Sequence, residues 1–473
     1  MSVQDIHPNK YSELRSIYKY YIDSYNALYQ LKTEKEENLN QIFKMIKENL
    51  IDTMKIRPQS IVRDTLNTIP YNNRYTRPYL TIAKLIFDDY HVKEVNNVAN
   101  ISKYLFYKEY GIKLDRICNF REYEFKNIDI HRENTIYKVI MYNDLERFIA
   151  FTETDGFDKD QVLNNDLYPN CMSGYSLLEL CCYHGAVDCF KLLRTKFHSE
   201  ITQECLELSF LGGNPEIMSE CLKYQKPNKE CMRYAIISHN IDFVTFLMNE
   251  YDLVIKLHCC GIYNNLESFL VYYDQSNDIS KCFVYSAMFD IPSLCKYFLS
   301  LCSNINTKKK DGKTAIHCTA YKSCIETAEF LISHGANINE KDNDGQTAFH
   351  TAVYHNSKEI AELLISHGIN INEKDKYGKT ALHIAAIGDR KEIAEFLISH
   401  GANINEKDED GNTPLIFSAI CNCKEIVELL ISEGANINEK NNDGQTALYN
   451  ARIYNLYFIG KETVGFLISH GAE

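Results

Sequence analysis

The sequence predicts an all-α fold, a solenoid of stacked helical pairs preceded by a separate helical domain, and three observations carry it. The glycine before each Thr recurs at Gly312, Gly345, Gly378, Gly411 and Gly444, always 33 residues apart. A second series, Gly335, Gly368, Gly401 and Gly434, keeps the same step, and its last member, Gly471, follows after 37. Between the two series lie two short apolar blocks at helical spacing. Fixed self-similarity of this length marks a supersecondary unit that buries its apolar face only against copies of itself.

One unit reads YGKTALHIAAIGDRKEIAEFLISHGANINEKD, residues 377–408. Tyr377-Gly378 closes a turn, and Thr380 stands where it can N-cap a short helix from Ala381 to Gly388. A second helix is expected from about Arg390 to His400, with Ile393, Ala394, Phe396, Leu397 and Ile398 on its apolar side. Gly401 should end it in the left-handed region. Ala402 to Asp408 then runs out and back as an extended finger. Neither helix is long enough to stand alone. Each apolar side chain that a neighbour covers contributes roughly 1.5–3 kcal/mol, so stacking holds the units together.

These residues resemble the ankyrin repeat. The family's T-P-L-H appears as Thr314-Ala315-Ile316-His317, Thr347-Ala348-Phe349-His350 and Thr380-Ala381-Leu382-His383. Thr413-Pro414-Leu415 keeps the proline but carries Ile416, and the last unit carries Tyr449, where the family has His. The resemblance covers 311–473 in five units and implies short β-hairpin fingers. It also implies that both exceptions lose the Thr–His hydrogen bond and have looser turns. The extra four residues of the last unit fall around Asn455 to Gly460.

Upstream, the acidic or polar residue opening each second helix recurs at Asp188, Glu216, Asp242, Glu267 and Ser293, in steps of 28, 26, 25 and 26. Units this short have room for both helices but not for a full finger. We read 135–310 as degenerate ankyrin-like repeats, with 143–148 opening the first. Residues 1–130 read differently. Leu14, Ile17, Tyr18, Tyr21, Ile22, Tyr25 and Leu28 mark one helix face, and Thr33 with Glu36 suggests a capping box before Leu39, Ile42, Phe43, Ile46 and Leu50. Further helices are expected near 59–68, 78–90 and 94–110. This segment resembles the N-terminal helical domain of unknown function found before degenerate repeats in protozoan ankyrin-repeat proteins.

Motifs that carry chemistry are weak. Gly312-Lys313-Thr314 and Gly378-Lys379-Thr380 mimic the end of a phosphate loop, but Thr307 and Glu373 stand where that loop needs a further glycine. Cys181-Cys182-Tyr183-His184 and His258-Cys259-Cys260 lack a second ligand pair at zinc spacing, so these cysteines, like Cys421 and Cys423, read as small buried hydrophobes. His317, His350 and His383 recur with the unit and read as turn-stabilising groups. Asn339, Asn372, Asn405 and Asn438 occupy the finger position that is hydroxylated in some members of the family; hydrogen bonding within the fingers is the plainer reading. Neither a cofactor nor a metal is expected, and no enzyme activity.

What varies inside the unit points to binding. Where the family exposes residues to its concave groove stand Tyr321, Tyr354, Ile387, Ile420 and Ile453, followed by Lys322, His355, Gly388, Cys421 and Tyr454; Tyr377 lies at a finger tip. Aromatic anchors carry much of the energy of protein interfaces. The expected partner-binding set is therefore Tyr321, Lys322, Tyr354, His355, Ile387, Tyr377, Ile420 and Tyr454, in a non-enzymatic adaptor for a protein partner. A competing reading places a catalytic or small-molecule site in 1–130, where His7, His91 and Cys118 are the sparse candidates and Asp88, Asp89 and Arg74 a conceivable cluster. Self-association as a scaffold is a third reading, with a monomer favoured.

Net charge is −13, which argues against a nucleic-acid partner, since phosphate binding needs a concentrated basic surface. The start, MSVQDIHPNKYS, has no signal-peptide apolar core, and no apolar run of about 18 residues is long enough to span a bilayer. With these, seventeen cysteines suggest a reducing, cytoplasmic setting rather than a disulfide framework.

Overall fold

The computed structural model describes residues 10–115, 134–169, 174–455 and 461–473. His7, Cys118 and the insertion at 456–460 lie outside them. The chain divides into two compact units, 1–277 and 278–473. Both are all-α; among the described residues the only strands are the two-residue pair Val162–Leu163 and Tyr175–Ser176.

In the first unit the N-terminal helices are Lys10–Ile17, Lys19–Tyr29, Glu36–Ile46, Pro58–Asn67, Thr76–Asp89 and Asn100–Tyr110. Tyr21, Ile22, Tyr25 and Leu28 are buried as their spacing requires, while Ile17 is exposed. The capping box at Thr33 does not form. Lys35 in extended backbone is the N-cap, and Thr33 stands two residues too far upstream, where its Oγ1 accepts from the Lys35 amide at 3.2 Å and from Asn38 Nδ2 at 3.1 Å. The helix also runs past Ile46 as a π-helical stretch, Lys47–Thr53.

Helical pairs follow. Leu177–His184 pairs with Val187–Lys196, Gln203–Gly212 with Pro215–Leu222, Lys229–Ile237 with Ile241–Tyr251, and Leu257–Ile262 with Leu266–Ser276. The turn inside each pair holds one residue in the left-handed region: Gly185, Gly213, His239 and Asn264. Glu216, Asp242 and Glu267 each fall second in their outer helix, so the short spacing counted real units.

The second unit opens with Ile279–Ser286 and Pro292–Leu301 and continues through the 33-residue pairs, from Ala315–Lys322 with Ile325–Ser333 to Ala447–Asn455 with Lys461–Ser469. Its left-handed turn residues are Asp290, Ser323, Asn356, Asp389 and Asn422, small polar residues that tolerate this backbone better than other non-glycine types. Two of them bind the next outer helix through their side chains. Asp290 Oδ1 accepts from the Thr327 amide at 3.2 Å, and Asn422 Oδ1 accepts from Thr463 at 2.7 Å.

Each inner helix of the first three regular units starts with a capping box in which His replaces the usual Glu. Thr380 N–H donates to His383 Nδ1 at 3.1 Å, and Nε2 reaches the Asn412 carbonyl of the next unit at 3.1 Å. His317 does the same toward Gln346, while His350 Nε2 meets the Glu373 carbonyl at 3.1 Å in the finger of its own unit. At Ile416 and Tyr449 the helix start survives, because Thr413 and Thr446 still accept from the amides three residues on, at 3.4 and 3.3 Å. What is missing at Ile416 is the imidazole link to the following unit.

The fingers are tight turns without a strand ladder. Asp375 N–H donates to Lys379 O, and Lys376 N–H and Glu409 N–H donate to Asp344 O and Tyr377 O across successive fingers, all at 3.0 Å. One backbone bond per neighbour is too few to make a sheet, so the expected hairpins are present only as turns. Gly378 is obligatory here: its φ is +75°, and a Cβ would lie 2.7 Å from the Glu409 nitrogen. Lysines tie the fingers together. Lys374 Nζ meets Glu406 at 2.7 Å and the Lys407 carbonyl at 2.9 Å, and Lys308, Lys341 and Lys407 repeat the pattern.

Candidate functional site: the ends of the inner helices

The two residues before each left-handed turn residue end the inner helix, and the two units treat them differently. In the second unit these are Tyr321-Lys322, Tyr354-His355, Ile387-Gly388 and Ile420-Cys421. Tyr354 is 63% exposed and Tyr377 51%. Ile387 and Ile453 are exposed to a lesser degree, and Tyr321, Lys322, His355 and Ile420 are half-buried. The side chain of Tyr454 lies outside the described residues.

Two aromatic clusters form. His355 lies between Tyr321, with ring centroids 4.2 Å apart, and Tyr354, at 4.9 Å in edge geometry. Lys379 Nζ sits 4.9 Å over Phe417 and 5.9 Å from Tyr377, while Lys376 covers Tyr377 at 4.9 Å and pairs with Asp344. Phe417 also meets the edge of His383 at 5.9 Å. It went unrecognised in the sequence because other units carry a small or buried residue at its position. Lys379 is thus a finger residue over aromatic rings, not part of a phosphate loop. Cys421 is exposed, and hydrogen bonding from the Cys423 thiol lowers its pKa to about 7.

In the first unit the same register is filled from within the chain. The Tyr183 hydroxyl donates to the Pro70 carbonyl at 2.8 Å and accepts from the Asn73 amide at 3.0 Å. Gln30 Nε2 donates to the His239 carbonyl at 2.7 Å, Tyr29 stacks on the His239 ring at 4.2 Å, and that ring lies between Asn26 Oδ1 and the Tyr263 carbonyl. The Tyr263 and Tyr71 hydroxyls meet at 2.9 Å, with Arg233 donating to both. Asn264 Nδ2 donates to the buried Asp64 at 2.8 Å. Buried Glu267 accepts from Arg15, from Tyr11 at 3.2 Å and from Asn26 at 3.3 Å. The N-terminal helices therefore occupy the inner-helix ends of the short pairs.

The remaining candidates resolve simply. Cys181, Cys182, Cys259 and Cys260 are buried, and no group of three or more His, Cys, Asp or Glu that could hold a metal ion occurs among the described residues. Asp88 pairs with Lys84, and Asp89 with Lys47 at 2.7 Å, so neither converges on Arg74. Finger asparagines bridge units: Asn372 Oδ1 accepts from the Asn403 amide at 2.7 Å, and Asn405 Oδ1 from Asn436 at 2.8 Å.

Comparison with known families agrees with this geometry. The model for ankyrin repeats, in three-copy form, matches residues 283–375, 340–408, 370–441 and 404–473. A domain of unknown function, DUF3447, matches residues 197–272, which lie within the short helical pairs. A comparison with curated proteins finds no match. Ankyrin repeats therefore occupy residues 283–473, with this domain of unknown function before them. Ankyrin repeats are a general protein–protein interaction module, and no helix among the described residues is long and apolar enough to cross a membrane.

Proposed function

We propose that the regular repeats bind a protein partner through the groove residues Tyr321, Lys322, Tyr354, His355, Ile387 and Ile420 and the finger residue Tyr377, and that the chain is a non-enzymatic adaptor. Tyr454 belongs to the same set by register. The observation that carries this reading is the exposure of Tyr354 and Tyr377, two large aromatics that no neighbouring unit covers. In this reading residues 1–130 are a helical domain, 135–310 degenerate repeats and 311–473 the binding array. The array works as a pre-formed surface, as a monomer, in the cytoplasm.

The test is capture from a native lysate with the full chain and the triple variant Tyr321→Glu, Tyr354→Glu, Tyr377→Glu. A partner held by the wild type and lost by the variant, with helical circular dichroism unchanged, is the expected result. A partner retained by the variant removes the groove from the account.

A further inference from the structure

A cavity of about 310 Å³ lies in the first unit, between the N-terminal helices and the ends of the inner helices. That is the lower end of the range for small-molecule sites. Its wall includes Lys32 and Arg74 and no Asp or Glu, in a chain whose acidic side chains outnumber its basic ones, 64 to 51. The Arg74 guanidinium lies 4.6 Å over the Tyr142 ring and 5.5 Å over that of Tyr75. Its Nε is buried without a hydrogen-bond acceptor. Glu34 accepts the Tyr142 phenol at 3.1 Å and does not pair with the guanidinium.

Inner helices end at this cavity, at His184, Gly212 and Ile237. Their last carbonyls carry partial negative charge, which alone would favour a cation nearby. A purely structural arginine would be expected to donate to those carbonyls, however, and the buried Nε of Arg74 donates to none. That Nε has almost no exposed area, so it marks a guanidinium without a fixed acceptor on that side rather than the atom that would meet a ligand. The aromatic rings of Tyr29, Tyr75 and Phe243 line the same space, so the complementary molecule has a flat or apolar body as well as an anionic oxygen.

We propose that this cavity binds a small organic anion, with the ligand's oxygen on Arg74, Lys32 at the rim and the planar body against the tyrosines. The site is distinct from the groove of the regular repeats and does not rest on the reading of that groove. Isothermal titration of the full chain with AMP, 4-hydroxybenzoate and neutral adenosine tests it and separates a phosphate ester from a carboxylate. Saturable binding of either anion but not of adenosine is expected. Arg74→Gln should weaken it roughly 10- to 100-fold, the range for a hydrogen bond to a charged group. Lys32→Gln, exposed and harmless to folding, should weaken it less, and Ser238→Phe, which fills the space and keeps both cations, should abolish it. Absence of saturable binding by both anions, equal binding of adenosine, or unchanged affinity in folded Arg74→Gln protein overturns the proposal.

Discussion

Tyr183 and Tyr354 hold the same place in their units, two residues before the left-handed turn residue, yet 4% of the first is exposed against 63% of the second. The difference comes from what lies opposite. In the short pairs the N-terminal segment presents Gln30, Asn26, Tyr71 and Asn73 to the inner-helix ends, where they hydrogen-bond to His239, Tyr263 and Tyr183. In the regular repeats the same positions carry Tyr321, Tyr354, Ile387 and Ile420, and of these Tyr354 stays largely exposed. One register therefore serves internal assembly in one region and presents an open surface in the other.

The largest effect that tests this contrast is truncation at the shared position. Tyr183→Ala removes a buried ring and leaves the Pro70 carbonyl and Asn73 amide without their partner, and should cost about 3–5 kcal/mol. Tyr354→Ala should stay within about 0.5 kcal/mol. Urea titrations followed by circular dichroism decide it, and equal costs would break the comparison.

Acid should separate the two regions next. Burial lowers the pKa of His317 from 6.5 to about 4, and those of His350 and His383 in the same direction. The unfolded chain then binds more protons between these values, so stability is full above pH 6.5 and is lost as pH falls toward 4. A shift of that size corresponds to roughly 3 kcal/mol for His317 at the acid end. The buried carboxyl of Asp290, pushed up by burial and then by Glu326, works in the opposite sense, so Asp290→Asn should steepen the loss. Hydrogen exchange between pH 6.5 and 5 should show opening in 314–412 before 177–277, whose capping box at Ser176 uses Glu179 instead of His.

Smaller effects sharpen the picture within the regular array. Ile416→His restores the imidazole link that its neighbours make to the next unit and should add about 1 kcal/mol, seen as a higher melting temperature. Lys374→Met removes one half-exposed rung of the finger ladder and should cost no more than about 1 kcal/mol, less in high salt. A larger loss would mean that the fingers, rather than the helices, hold the array together.

Much of this fold was legible because repetition makes a pattern count several times over. The 33-residue glycine series, the helix from Ala381, the cap at Thr380 and the outer-helix starts at Glu216, Asp242 and Glu267 all stand where the spacing puts them. Single, unrepeated signals fared worse. Thr33 and Glu36 have the letters of a capping box, yet the helix takes Lys35 as its N-cap. The burial of Tyr183 could not be read at all, because it depends on Pro70 and Asn73, more than a hundred residues away, and the residue itself is the same type as Tyr354. The sequence allows Arg74 a cluster with Asp88 and Asp89, and the fold sends those carboxylates to Lys84 and Lys47 instead.

The lysine rungs also set how this chain responds to a pulling force. Each ties a finger to the one that follows, so tension should peel the array one period at a time. A released period of 33 residues adds about 110–120 Å of contour length. The regular half is thus built to yield as a ratchet of equal steps.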